Sequence, residues 1–88
     1  MTKVIVSVHV ETTDNQVSDL GTLEYTLNTP YEQVDDLFMF QQVKADPRAG
    51  YSIQDGILEI MGNIFMLSNV RRIFVVIRQK ENLALAEG

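Results

Sequence analysis

YSIQDGILEIMGNIFMLS, residues 51–68, decides the fold. As a helix it would align Ile53, Ile57, Ile60, Ile64 and Leu67 in one stripe. As strands it divides into YSIQ (51–54), ILEIM (57–61) and IFMLS (64–68), with Asp55-Gly56 and Gly62-Asn63 as hairpin turn signals. Two interior glycines each cost a helix about 1 kcal/mol relative to alanine, and Ile and Phe favour strands. The stretch is therefore read as strands.

The flanking segments fit that reading. From Lys3 to Glu11, Val4, Val6, Val8 and Val10 alternate with Lys3, Ile5, Ser7, His9 and Glu11, the pattern of a half-buried strand. TTDNQVSDLG (12–21) gathers turn formers and predicts a loop. A second strand over Thr22–Asn28 then pairs with the first. Thr29-Pro30-Tyr31-Glu32 has the form of a capping box, which predicts that a helix starts there. Val34, Leu37, Phe38 and Gln41 would form its inner face, with Asp35 and Asp36 outward, and Pro47 and Gly50 would end it.

Val70–Lys80 is rich in β-branched residues and forms the last strand. The expected fold is α+β: an antiparallel β-sheet of about five strands with one helix packed on one face, in the order β-β-α-β-β-β. Residues 1–80 form a single domain, and 81–88 a short flexible tail.

Composition narrows function. A chain of 88 residues has room for one domain and a small core. Cysteine is absent, which excludes disulfides, zinc–thiolate sites and thiol catalysis. The N-terminus lacks the apolar block of a secretory signal, and Glu59, Asn63, Asn69, Arg71 and Arg72 interrupt the longest apolar stretch. A membrane span needs about 18 or more nearly uncharged residues. A cytoplasmic protein without membrane contact is expected.

The net charge of −5 is unevenly spread: residues 1–60 hold ten acids against Lys3, Lys44 and Arg48, whereas 61–80 hold only Arg71, Arg72, Arg78 and Lys80. Such a chain repels nucleic acid at long range and suits a basic protein partner. Glu11, Asp14, Asp19, Glu32, Asp35 and Asp36 are the candidate acidic face for that partner.

The strand faces of 70–80 place Arg72, Phe74, Val76, Arg78 and Lys80 together. Cations around an aromatic suit single-stranded bases. One phenylalanine on an acidic body suits an oligomer interface better, because long arginine stems cover apolar surface.

No constellation carries catalysis. Ser7, His9 and Glu11 share a strand face, but neighbours two apart lie side by side and lack the converging geometry of a triad. Asp35 and Asp36 diverge by about 100° on a helix, and residues 13–15 do not meet a calcium-loop pattern. No catalytic residue, metal site or cofactor is expected.

The functional expectation is a small, acidic, non-catalytic protein–protein interaction module, forming a homodimer. One form of it is a virus-encoded inhibitor or adaptor, a DNA mimic whose acidic face occupies a basic, nucleic-acid-binding host protein. The alternative is a structural component of a larger assembly such as a virion or secretion machine. Nucleic-acid binding through 70–80 ranks below both.

Overall fold

The four alternating valines make the central strand of the molecule. The computed structural model describes residues 1–83. Strand β1 (Thr2–Thr12) lies between β2 (Val17–Leu27) and, later in the chain, β6 (Val70–Asn82), antiparallel to both. Val4, Val6, Val8 and Val10 are fully buried on the front face of this sheet. The order β-β-α-β-β-β stands as read, with six strands divided between two three-stranded sheets.

Residues 51–68 fold as strands. β3 (Ser52–Gln54), β4 (Ile57–Ile60) and β5 (Asn63–Met66) form an antiparallel meander. Asp55 and Gly56 have φ of 53° and 74°, the positive pair that tight hairpin turns demand. The second turn is Met61-Gly62, one residue earlier than Gly62-Asn63, because Ile60 pairs with Asn63. Met61 accepts a positive φ of 53° there. Its N–H donates to the Ala49 carbonyl at 2.6 Å, and its side-chain tip covers the bare backbone of Gly21.

The β1–β2 loop is shorter than expected. The turn signals of 12–21 serve two purposes: 13–16 reverse the chain, and Asp19–Gly21 form a bulge inside β2. Val8 pairs with Gly21 and His9 with Asp19, which leaves Leu20 as the extra residue. Gly21 has φ of 126°, and its N–H donates to the Asp19 carboxylate at 3.0 Å.

The helix does not start at Thr29. Tyr31–Gln33 form a single 3-10 turn, and α1 runs from Asp36 to Ala45. Val34 is drawn into the core in an extended conformation, φ −89° and ψ 103°, which breaks the helical path. Helix α1 therefore starts after it, capped by the Asp35 carboxylate, which accepts from the Phe38 N–H at 2.8 Å. Thr29 instead uses its carbonyl, which accepts from the Thr2 hydroxyl at 2.7 Å.

The later start turns the helix on its axis. Met39 and Val43 are buried and Phe38 half-buried, whereas Leu37 and Gln41, expected inside, are exposed.

Helix and meander share the front face of the first sheet. Met39, Val43, Leu58 and Ile60 close the core over the β1 valines and Val75. Strand β6 continues to Asn82, two residues past Lys80. Of the expected tail, residues 84–88 lie outside the described residues.

Candidate interaction surfaces

The back face of the first sheet is closed by its own side chains. Ser7 is 1% exposed and His9 is also buried, although no second layer of described residues covers them. The Ser7 hydroxyl accepts from Arg78 Nε at 2.9 Å and lies 2.7 Å from His9 Nε2. The His9 ring stacks on Phe74, with centroids 5.1 Å apart, and the Arg72 guanidinium sits 4.2 Å from the Phe74 centroid. Arg72 donates to Glu11 at 2.7 Å, and Arg71 reaches the same carboxylate at 3.4 Å. These bonds, Arg72 foremost, hold the Glu11 carboxyl below its ordinary range.

This ladder has a serine hydrogen-bonded to a histidine but not the rest of a triad. Glu11 is engaged by two guanidinium groups, and His9 Nδ1 has no hydrogen-bond partner among the described residues. The Ser7 side chain is buried.

Of the expected basic face, Arg72, Phe74 and Val76 lie on the back face opposite Glu11, His9 and Ser7 in register, and Arg78 joins them there through its bond to Ser7. Lys80 does not. A bulge at Arg78 shifts the alternation, so Lys80 pairs with Val4 on the front face. Its ammonium donates there to the Val34 and Tyr31 carbonyls, at 2.9 and 3.2 Å.

The six acids fall into two groups. Glu11, Asp14 and Asp19 belong to the β1–β2 end. There the Thr12 hydroxyl bond chiefly lowers the Asp14 pKa, and the Gln16 N–H adds to it. Glu32, Asp35 and Asp36 surround the start of α1, where Asp36 accepts from the Ile77 N–H at 3.3 Å. Ile77 pairs with Val6, five residues from Glu11 and three from His9, the partner of Asp19, so Asp36 stands about 17 Å from Glu11 and about 10 Å from Asp19 along the strand.

The outer face of the meander is the surface the sequence reading passed over. Ile57 pairs with Met66, and Glu59 with Ile64, so these four side chains share the face opposite Leu58 and Phe65. Ile57, Ile64 and Met66 are 42%, 70% and 63% exposed. They form an exposed apolar patch on adjacent strands of a small body. The signal was present in ILEI and NIFM: apolar residues stand at both parities, Ile57 beside Leu58 and Phe65 beside Ile64 and Met66, as in a strand covered on two sides.

A smaller apolar groove, about 160 Å³, runs beside the outer edge of β6 and is lined by Asp36, Leu37, Phe40, Ile73, Phe74 and Val75. Among the described residues no group of three or more His, Asp or Glu side chains is placed to hold a metal ion. No described helix is long and apolar enough to cross a membrane. Compared with protein-family models, with curated proteins and with solved structures, the chain matches none.

Proposed function

We propose that the chain is a non-catalytic protein–protein interaction module that binds a basic protein through the outer face of the meander. The exposure of Ile57, Ile64 and Met66 side by side carries this reading. The charge around them sets the partner's chemistry: residues 49–69 hold Asp55 and Glu59 and no basic side chain, within a chain of net charge −5. An apolar anchor with a basic rim complements that surface, and the charge steers its approach.

The split of the six acids moves the proposed contact from a single acidic face to the meander. The occupied cations of β6 favour a protein partner over nucleic acid: Arg71 and Arg72 are engaged with Glu11, Arg78 with Ser7, and Lys80 with backbone carbonyls. The closed Ser7–His9 pair supports a non-catalytic role.

Affinity capture from lysate with the wild type and Ile64→Glu in parallel tests the reading. The wild type is expected to retain a basic protein at low salt and to lose most of it at high salt, while Ile64→Glu retains none. If the variant, folded by circular dichroism, captures the same protein equally well, the meander is not the contact.

A further inference from the structure

With no cysteine in the chain, no thiol competes for an oxidant, and the thioethers of Met1, Met39, Met61 and Met66 are its most oxidisable side chains. The fold ranks them by access. Met39 is 0% exposed in the core, and Met61 is half-buried with its tip against Gly21. Met66 is 63% exposed and Met1 56%. Of these two, only Met66 belongs to the apolar face of the meander. Met1 precedes β1, where its carbonyl accepts from the Leu83 N–H at 2.8 Å.

The register holds Met66 on that face. It pairs with Ile57, and the Leu67 N–H that follows donates to the Gly56 carbonyl at 2.8 Å, which ties the end of β5 to the β3–β4 turn. Its neighbours on the face are Ile57 across the ladder, Ile64 two residues back and Glu59 on the diagonal. Ile57 and Ile64 are hydrocarbon, and the Glu59 carboxylate is an acceptor only. An oxygen added to the Met66 sulfur therefore stands on the apolar patch with water as its partner.

We propose that Met66 is a reversible oxidation site and that its sulfoxide is the form of the meander that does not dock. The oxidant is a peroxide. The thioether sulfur attacks one peroxide oxygen: the S–O bond forms as the O–O bond breaks, and sulfur gives up two electrons. The second oxygen takes the proton of the first and leaves as water. One flexible apolar side chain becomes a polar, chiral one. An apolar anchor that covers it must bury the new oxygen unpaired, which is costly. Methionine sulfoxide reductases return the thioether, so the change can be undone. The inference rests on the meander as the docking face and adds its regulation.

The test is limited treatment of the wild type with hydrogen peroxide, mapped by peptide mass spectrometry, followed by capture of the basic protein that the untreated chain retains. Met66 and Met1 are expected to oxidise well before Met61 and Met39. Capture should then fall about tenfold or more and return after incubation with methionine sulfoxide reductases. Met66→Leu, in which Met1 still oxidises, should capture as much after peroxide as before it, whatever its own starting level.

Oxidation of Met61 or Met39 ahead of Met66 overturns the proposal and leaves the docking face untouched, because the map needs no partner. So does undiminished capture by chain oxidised at Met66, or a Met66→Leu chain that loses capture to peroxide as the wild type does. Should Met66→Leu fail to fold, loss and return of wild-type capture, tracked against sulfoxide at Met66 and at Met1 separately, decides. Failure of the meander reading is seen apart from all of these, in Ile64→Glu capturing like the wild type, and it takes the docking half of this proposal with it.

Discussion

Asp35 and Thr29 show how one residue can decide where a helix begins. Both precede segments that could be helical, and the need to bury Val34 between them gives the cap to Asp35. Replacing the capping side chain with alanine costs about 1 kcal/mol. Asp35→Ala should therefore lower stability by that amount in urea unfolding. Thr29→Ala should change it little, because the bond at Thr29 uses the backbone carbonyl. Equal losses at the two positions would contradict the assignment of the cap.

A second residue-scale consequence comes from Asp46. Its carboxylate accepts from Arg48, at 2.7 Å from the nearest nitrogen, and from the Tyr25 hydroxyl at 2.7 Å. Arg48 first and Tyr25 second hold its pKa well below the usual carboxylate range. Burial first, and the Asp46 carboxylate next, push the Tyr25 phenol up.

The folded chain favours the ionised Asp46, so the unfolded chain takes up the proton first. The contribution is complete above the ordinary aspartate pKa, about 4, and is lost as pH falls below it. Melting curves of the wild type and Asp46→Asn should differ near neutral pH and converge toward about pH 2; a gap that stays constant would contradict this. Nothing in the sequence announced the contact, which joins residues 21 apart across the end of the helix.

At the scale of elements, the meander has one structural face and one open face. Leu58 is fully buried against the β1 valines, whereas Ile64 lies on the opposite side. Leu58→Ala should cost about 2–5 kcal/mol through the lost burial and the cavity left behind. Ile64→Glu should fall within about 0.5 kcal/mol of the wild type, as surface substitutions usually do. Comparable losses by chemical denaturation would mean that Ile64 belongs to the core.

Strand identity was legible wherever period-two alternation and turn residues agreed: β1, the three meander strands and β6 all follow from pattern alone. What the pattern could not carry was the effect of bulges. Leu20 and Arg78 are extra residues that shift facing by one, which is why β2 begins earlier than the loop signal suggested and why Lys80 leaves the basic face. The helix was legible as an element, but its start and its inner face depended on Val34, a tertiary demand. Of the candidate site residues, Arg72, Phe74, Val76 and Arg78 come together as read, and the acids separate because three sit at a hairpin end and three at the helix start.

For the whole molecule, a long twisted sheet carries a helix and a small second sheet on one face, so the body is drawn out to 50 × 24 × 18 Å. Among the described residues, that shape leaves Arg78, Ser7, His9, Phe74 and Arg72 packed together on the back face and no element over the outer face of the meander. The central claim is that this outer face, Ile57, Ile64 and Met66, is where a basic protein docks. The most direct measurement is an amide chemical-shift map of the labelled chain titrated with the captured partner. The account predicts perturbations centred on residues 57–66. Perturbations centred on 11–19 or 72–78, with 57–66 unmoved, would contradict it.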